Sequence, residues 1–443
     1  MINDFSHLNP VKVEKIVQVH SITDIMDAIK YASSKNLKIS ISANKNSQGG
    51  HIANKNGLIL DMSGYNKIVN FSQLQKTITV ESGATWSEIQ TYINRHGLSL
   101  KVMQSANIFS VGGSLGSNVH GRDPRYGTIS ETVKSIKVIL SNGYHVHASR
   151  TENREIFFSA IGGYGLIGII TEVELSLTED SILKKRVKTL LYSDYAEHIK
   201  NTLNENLELH YGRCSIAPNE SFFRDCIAVD YFRHAQATTV IELSPETNIT
   251  RDKFFFNLSR QSNWGKSLRW WLQGILIDTP AKDVIISRNN AMRPAISFLE
   301  YTSSKDTDIL QEYFIPIDDL AKYLVALRSI LLKNRVNVLN MTLRYIPKSE
   351  AVFLNYAPIE VVSVVLYMNI QINSEAIKHC KKWTKQIVDL TSTHRGRYYL
   401  TYHRFPTIQQ FQTTYPKWQK FKYLKNKYDP NHLFTSEFYK HYF

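Results

Sequence analysis

Strand-like and helix-like stretches alternate along the N-terminal part of the chain. Apolar residues at Ile25, Ala28 and Ala32 recur at helical spacing, and Ser21 stands three positions before Asp24, which is typical of a capped helix start. The same reasoning predicts strands at 13–20, 37–42, 58–62, 77–83 and 167–175, helices at 21–34, 85–97 and 153–161, and a hairpin at 133–147 that turns at Asn142 and Gly143. Strand–helix pairs followed by a meander indicate an α+β domain of roughly 180 residues.

The middle of the chain carries runs typical of longer strands. Residues 338–345 and 361–372 are rich in apolar and β-branched residues, and the apolar run 314–317 precedes an acidic helix start at Asp318 and Asp319. These stretches predict a sheet in a second domain.

Residues 110–121 contain four glycines, three serines and an asparagine, and His120 stands near their end. Glycine costs about 0.5–1 kcal/mol relative to alanine inside a helix or strand, so neither is expected here. Glycine does let backbone N–H groups approach an anion closely. The P-loop and the Rossmann fingerprint are both absent from this segment. We interpret the segment as a diphosphate cradle, with His120 placed to reach what the diphosphate carries.

A second polar loop, residues 42–51, lies between the apolar runs 37–41 and 58–62. Two Gly/Ser/Asn loops that each follow a strand suit a long ligand with two phosphates. The alternative interpretation is a pair of solvated surface loops, and composition alone gives the two interpretations about even weight.

The order of these segments carries a family resemblance that settles the choice. The segments concerned are residues 46–50, 60–62, 80–84, 110–113, 120–121 and 165–170. They resemble the FAD-binding domain of the vanillyl-alcohol oxidase/p-cresol methylhydroxylase superfamily. Residues 396–403, together with Tyr415, Tyr428 and Phe434, resemble the sugar-oxidising branch, which includes the aldonolactone oxidases and decaprenylphosphoryl-ribose oxidase.

The resemblance implies the fold class and the domains. The expected fold is α+β, with a two-subdomain FAD-binding domain of the p-cresol methylhydroxylase type at residues 10–178. A substrate domain, an antiparallel sheet flanked by helices, is expected at 179–385, and a C-terminal tail that returns to the flavin at 386–443.

The resemblance also implies FAD as cofactor and a set of residues that hold it. By position these are Ala43, Asn44, Lys45, Asn46, Ser47, Gln48, Gly49, Ser105, Ser110, Val111, Gly112, Gly113, Ser117, Asn118, His120, Ile170 and Tyr399. Many family members attach the flavin through a histidine at the position of Asn46. An amide cannot form that bond, so FAD is expected to bind non-covalently, with His51 and His120 as substitutes at unusual places.

The candidate catalytic residues are Tyr402, His120, His403, Arg344 and Asn369. Tyr402 stands where relatives of the sugar-oxidising branch place a lysine near the flavin, so the role of that lysine passes to Tyr402 or to an adjacent basic residue. Histidine or tyrosine can take the hydroxyl proton during hydride transfer. Tyrosine needs a nearby cation to do so near neutral pH, and the choice among Tyr402, His403 and His120 stays open.

Composition adds few constraints. The net charge is +14, and we favour a generally basic surface over nucleic-acid binding because no basic block or nucleic-acid motif stands out. Three cysteines without metal spacing suggest reduced thiols, no metal site and a cytoplasmic protein. No apolar run approaches the roughly 18 residues that span a bilayer, and no signal peptide is recognised.

Residues 264–277 hold three tryptophans beside Lys266 and Arg269. Two interpretations are open, an amphipathic helix in contact with a membrane surface and a helix packed inside the substrate domain. Because buried aromatic residues are common, packing is favoured.

The expected function is an FAD-dependent oxidoreductase that moves a hydride from a C–OH carbon of a sugar, polyol or aldonolactone to flavin N5. Oxygen or a redox partner would reoxidise the flavin. The alternative is a flavin-fold protein that no longer catalyses and binds a partner or an anionic polymer. The intact cofactor loops argue against that alternative.

Overall fold

The computed structural model describes residues 1–236, 240–278, 284–349 and 352–443. Its described strands form three sheets, two in the N-terminal part of the chain and one in the remainder.

The N-terminal part contains two sheets and four helices. Its strands are β1 (Lys15–Gln18), β2 (Ile39–Ser42), β3 (Leu58–Asp61), β4 (Ile68–Ser72), β5 (Thr77–Glu81), β6 (Leu98–Leu100), β7 (Val133–Ile139), β8 (His145–Ser149) and β9 (Ile169–Glu179). Its helices are α1 (Ile22–Ser34), α2 (Trp86–Asn94), α3 (Val111–Gly116) and α4 (Arg154–Ala160). Strands β1, β3 and β2 make a parallel sheet, and β4, β5, β9, β7 and β8 make a second sheet to which β6 adds by pairing with β9.

The remainder of the chain contains the largest sheet. Its strands are β10 (Ser181–Leu191), β11 (Leu207–Cys214), β12 (Asp225–Gln236), β13 (Ile285–Ser287), β14 (Asp306–Pro316), β15 (Asn337–Ile346), β16 (Val361–Gln371) and β17 (Arg397–Tyr398). They pair antiparallel in the order β13-β10-β12-β11-β15-β16-β14-β17. Strand β17 belongs to the C-terminal tail, so the tail returns to the edge of this sheet next to β14.

Helices flank the large sheet. They are α5 (Tyr195–Thr202), α6 (Ile249–Gln261), α7 (Asn263–Asp278), α8 (Arg288–Met292), α9 (Leu320–Lys333), α10 (Ser374–Thr393), α11 (Ile408–Thr414), α12 (Trp418–Tyr428) and α13 (Glu437–Tyr442). One face of the sheet packs on α9 and α10 through Tyr323, Leu327 and Trp383. The other face packs partly on the N-terminal domain, where Leu209 and Val229 join its core. The α+β fold class expected from the sequence is confirmed.

Helix α3 corrects one expectation. Residues 111–116 form a short helix that Ser110 caps by accepting a hydrogen bond from the N–H of Gly113. Its glycines fit because the backbone packs closely on a neighbouring turn, where a β-carbon on Gly112 would lie 2.8 Å from Cβ of Ser82. Close packing therefore outweighs the poor helix propensity of glycine.

The cysteines correct a second expectation. Cys214 and Cys226 form a disulfide, and only Cys380 is a free thiol. The two bonded cysteines lie directly opposite each other on the paired strands β11 and β12. That register cannot be read from cysteine spacing, which is why reduced thiols were wrongly expected at both positions.

Helix α7 corrects a third expectation. Trp264 and Trp271 are 65% and 59% exposed, so the expectation that this segment packs its aromatic residues inside is wrong for these two. Lys266 and Arg269 are buried instead. No helix in the described part of the chain is both long and apolar enough to cross a bilayer.

Candidate active site

A cavity of about 440 Å³ lies between the two polar loops of the N-terminal domain and the large sheet. Most of the predicted site residues line it, namely Ala43, Asn44, Lys45, Asn46, Ser47, Gln48, Ser105, Ser110, Gly112, Gly113, Ser117, His120, Ile170, Arg344, Tyr399 and Tyr402. The large sheet contributes Leu310 and Glu312 from β14, Arg344 from β15, and Val365 and Tyr367 from β16. The fold thus brings segments from both domains and from the C-terminal tail to one cavity.

The first polar loop presents free backbone donors to this cavity. Gln48 ties the loop to the C-terminal tail, because its backbone N–H donates to the carbonyl of Thr401 at 3.0 Å. Lys45 has a φ of 57°, which turns the chain sharply. Among the described residues, the backbone N–H groups of Asn46 and Ser47 have no protein acceptor. Convergent free N–H groups are what an anionic group such as a diphosphate requires.

The second polar segment works differently from the first. Its N–H groups are engaged within the protein, since Gly112 donates to the carbonyl of Ser82 at 2.7 Å and Gly113 to Oγ of Ser110 at 3.3 Å. A β-carbon on Gly113 would meet only Oγ of Ser110, at 3.1 Å. A side chain at Gly113 would therefore enter space that is open to a ligand, whereas a side chain at Gly112 would collide with Ser82.

His120 and Glu312 form a buried pair on the wall of the cavity. Nε2 of His120 lies 2.6 Å from Oε1 of Glu312, and the two residues are 3% and 4% exposed. The hydroxyl of Ser363 donates to the same carboxylate oxygen. Burial raises the pKa of Glu312, but the charge and hydrogen bond of His120, with Arg344 and Ser363, outweigh it and hold the pKa below its usual range. Glu312 is accordingly an ionised carboxylate inside the cavity.

The two tail tyrosines flank this pair. The hydroxyl of Tyr399 donates to the carbonyl of Ser117 at 2.8 Å, which fixes the tail against the end of α3. The hydroxyl of Tyr402 lies 3.5 Å from Oε2 of Glu312. Burial and the charge of Glu312 raise the pKa of Tyr402 well above its usual value, although Arg344 opposes them. Tyr402 therefore stays a neutral phenol, which is opposite to what a tyrosine base needs.

Arg344 projects from β15 to the cavity. Its Nη2 donates to Oγ of Ser105 at 3.2 Å, and its Nε is buried without a partner among the described residues. The free Nε leaves Arg344 a donor for a bound molecule.

Two candidate catalytic residues do not reach the cavity. His403 stacks on Phe405 with ring centroids 4.7 Å apart, and burial, with the charge of Arg404, lowers its pKa to about 3. Asn369 donates to Oδ1 of Asp308 at 2.9 Å on the far part of the sheet. Neither lines the cavity, so the structure does not support the expectation that they face the reacting atoms.

Three predicted cofactor residues stand behind the cavity wall. Val111 is fully buried, and its N–H donates to Ala84. The side chain of Asn118 accepts a hydrogen bond from the N–H of Ser130. Gly49 leaves space for His51, since a β-carbon there would lie 2.3 Å from the imidazole. These three positions shape the wall and do not line the cavity.

Sequence reasoning missed Glu312. The strand that holds it, 306–316, is otherwise mostly buried, and a carboxylate within such a strand is rarely buried without a partner. The burial of this strand is known from the structure, since the apolar pattern of the sequence marked only its end, 314–317. Its partner His120 lies 192 positions away, so only the fold reveals the pair.

The cavity fits FAD. Oγ of Ser42, Nε2 of Gln48 and Nε of Arg344 are buried polar atoms without protein partners among the described residues, and all three residues line the cavity. Buried polar groups are almost always hydrogen-bonded, so these atoms indicate a polar ligand. The first polar loop would hold the diphosphate, and the wall near His120 and Tyr399 would lie beside the flavin.

Comparisons with known proteins agree with this fit. The family model described as an FAD binding domain matches residues 13–149, and the model described as D-arabinono-1,4-lactone oxidase matches residues 232–442. The chain therefore belongs to the FAD-binding oxidoreductases of the vanillyl-alcohol oxidase/p-cresol methylhydroxylase superfamily, and FAD is its cofactor. Within that superfamily it belongs with the sugar-oxidising branch.

Three curated relatives illustrate the similarity. L-gulonolactone oxidase of Bos taurus is 23% identical over 52% of this chain and 48% of its own length. A putative D-arabinono-1,4-lactone oxidase of Neurospora crassa is 24% identical over 36% of this chain and 29% of its own. Decaprenylphosphoryl-beta-D-ribose oxidase of Mycolicibacterium smegmatis is 27% identical over 30% of this chain and 29% of its own. The matches span about half, or less, of the length of these relatives.

Proposed function

We propose that this protein is an FAD-dependent oxidoreductase that acts on a C–OH carbon of a sugar, polyol or aldonolactone. The observation that carries the proposal is the buried His120–Glu312 pair on the wall of the cavity that fits FAD. When bound, FAD supplies a hydride acceptor at its N5 atom. The residues of the chain then have to bind the alcohol and take its hydroxyl proton.

Glu312 is the proposed proton acceptor, acting with His120. Its carboxylate is ionised because the pKa lies below the usual range, and it lines the cavity beside the imidazole. Nε2 of His120 is bonded to Oε1 of Glu312 at 2.6 Å, so the proton that leaves the substrate hydroxyl goes to Oε2, the other carboxylate oxygen. The bond from His120 holds the carboxylate in place for this transfer.

Arg344 and Tyr402 are proposed to position the substrate. Arg344 offers its unpartnered Nε as a donor to a substrate oxygen. Tyr402 stays protonated, so its hydroxyl donates to Glu312 or to a substrate oxygen and does not act as a base. Both side chains keep the reacting C–OH group against the His120–Glu312 pair.

FAD attachment is proposed to be non-covalent. Asn46 lines the cavity at the place where many relatives carry the attached histidine, and an amide does not form that bond. The nearby His51 also lines the cavity, and its ring packs on the rings of Tyr164 and Phe438. Denaturation with acid should release free flavin into the supernatant. Flavin that stays with the precipitated chain would contradict non-covalent attachment.

The proposed activity is tested by mixing the FAD-loaded protein anaerobically with a panel of aldonolactones, polyols and sugars. At least one compound should bleach the flavin absorbance, and the product should be the corresponding ketone or lactone. A flavin that stays oxidised with the whole panel would favour the non-catalytic alternative, for which no specific observation speaks.

A further inference from the structure

Helix α7 turns Lys266 and Arg269 towards the interior and two of its three tryptophans, Trp264 and Trp271, towards solvent. Lys266 and Arg269 are 8% and 9% exposed, whereas Trp264 and Trp271 are 65% and 59% exposed. A surface helix normally does the reverse, because a buried cation is costly unless a negative or polar group compensates it. The orientation of α7 therefore raises the question of what compensates Arg269.

The protein itself supplies little compensation at Arg269. Its Nη1 donates to the carbonyl of Leu339 at 2.6 Å, and its guanidinium lies 4.4 Å from the ring centroid of Phe256. No carboxylate in the described ranges forms an ion pair with it. Burial, with the charges of Arg213 and Arg260, lowers the pKa of Arg269 to about 9.

Two further arginines meet at Tyr211 on strand β11. The guanidinium carbons of Arg122 and Arg213 lie 5.3 and 5.5 Å from the centroid of its ring. Arg122 is buried, and its Nη2 donates to the carbonyl of Ala291. The guanidinium of Arg213 donates no hydrogen bond to any described residue, and the residue is half-buried. Burial raises the pKa of Tyr211, but the charges of Arg213 and Arg122 outweigh it and lower that pKa overall.

Arg344 links these residues to the cavity, whose lining includes Arg344 but not Arg122, Arg213 or Arg269. Arg213 on β11 pairs directly with Thr342 on β15, and Arg344 stands two residues further along β15, so Arg213 and Arg344 lie on the same face of neighbouring strands. We call Arg122, Arg213, Arg269 and Arg344 the arginine cluster. In the part of the chain that the structure describes, none of the four forms an ion pair within 4.0 Å, and Arg344, which lines the cavity, interacts with the charge of Glu312.

The register of the large sheet places the cluster relative to the proposed proton acceptor. Arg213 pairs with Thr342, Thr342 with Val365, and Val365 with Glu312. Directly paired residues point to the same face, so Arg213 and Glu312 share a face and lie three strands apart, about 14 Å between backbones. A substrate bound beside Glu312 would have to extend about 14 Å along this row to reach Arg213.

We infer that the arginine cluster binds an oxyanion, a phosphate or carboxylate, that the substrate carries at the end away from the oxidised carbon. The inference rests on the proposed function and narrows it to an anionic sugar derivative. An oxyanion would compensate the buried cations, and guanidinium groups suit it because they donate two parallel hydrogen bonds. A neutral polyol or lactone would leave the cluster uncompensated.

The test measures inorganic phosphate binding to the FAD-loaded protein by isothermal titration calorimetry at constant ionic strength. Arg213→Gln is the informative variant, because Arg213 is half-buried and its side chain donates no hydrogen bond to a described residue. The matched control is Arg154→Gln, an exposed arginine whose guanidinium lies 6.0 Å from the ring centroid of Phe158. Arg213→Gln should weaken phosphate binding by tenfold or more, Arg154→Gln by less than twofold, and Arg213→Lys should restore part of the loss.

The inference is overturned if neither phosphate nor acetate binds to the wild-type protein, or if the oxyanion that binds does so equally well to Arg213→Gln and wild type. Repeating the titration with acetate separates a phosphate-bearing from a carboxylate-bearing substrate, since the preferred group should bind at least tenfold more tightly. Binding is measured without turnover, so its outcome is independent of the proposed activity. If neutral sugars bleach the flavin but neither phosphate nor acetate binds, the inference fails and the proposed activity stands. If an oxyanion binds in an Arg213-dependent way but no substrate bleaches the flavin, the proposed activity fails and the inference stands.

Discussion

Nε2 of His120 and Oε1 of Glu312 lie 2.6 Å apart, although the two residues come from different domains and 192 positions separate them. His120 follows the short helix α3, and Glu312 stands in the middle of strand β14. The pair forms only when the large sheet packs on the N-terminal domain. The pair is therefore present only in the assembled cavity, and it supplies the two groups that the proposed chemistry needs.

The first prediction concerns Tyr402. Tyr402→Phe should keep FAD bound and slow anaerobic flavin reduction by less than about tenfold, because the phenol is neutral and its 3.5 Å contact with Oε2 of Glu312 is at the long limit of a hydrogen bond. Stopped-flow absorbance with a bleaching substrate measures the rate. A loss of a hundredfold or more would instead assign the base role to Tyr402.

The second prediction concerns the pH dependence of stability at Glu312. The folded-state pKa lies below the usual value of 4.5, so the ionised carboxylate stabilises the fold above that pH. The stability that wild type gains over Glu312→Gln should persist as the pH falls to 4.5 and disappear only below it, as the carboxylate is protonated in the folded state. Thermal unfolding of both proteins across acidic pH measures this difference. A difference that already vanishes well above the usual value would show that the pKa is raised.

The third prediction separates the two glycines of α3. Gly113→Val should give a folded protein that has lost most of its FAD, since its side chain enters the cavity. Gly112→Val should lower the unfolding temperature, because its β-carbon would press on Ser82. Flavin content and thermal unfolding of the purified variants check both statements. A full complement of FAD in Gly113→Val would show that the cofactor does not lie against this residue.

The fourth prediction concerns the disulfide. Replacing Cys214 and Cys226 together by alanine should reduce the free energy of unfolding by about 3 kcal/mol, the usual contribution of a bond that closes a loop of this length. Chemical denaturation with and without a reductant provides the measurement. Reductant should destabilise wild type and leave the double variant unchanged, and equal effects on both would argue against the bond.

Local sequence signals predicted much of the N-terminal domain. The capping boxes at Ser21 and Thr85 start helices α1 and α2 as expected, and the turn at Asn142 and Gly143 joins β7 to β8. Each of these features depends on residues within a few positions of one another. Short-range hydrogen bonds and turn geometry fix them before any tertiary contact forms.

Features that depend on distant contacts were not predictable in the same way. Helix α3 packs on Ser82 through Gly112, and the disulfide forms because of a strand register. The role proposed for Glu312 depends on its bond to His120, which lies in the other domain. The resemblance supplied most of the cavity lining, but it offered Asn369 and His403, which the fold places elsewhere.

The most direct test of the central claim is anaerobic flavin reduction in Glu312→Gln. The change keeps the shape of the side chain and removes the charge that accepts the proton. The matched control is Glu152→Gln, since Glu152 forms an exposed pair with His147 at 2.9 Å, far from the cavity. We predict that Glu312→Gln retains FAD and reduces it at least about 100-fold more slowly than wild type, in the range expected for loss of a general base, while Glu152→Gln reduces it at the wild-type rate. Wild-type reduction in FAD-loaded Glu312→Gln would contradict the account.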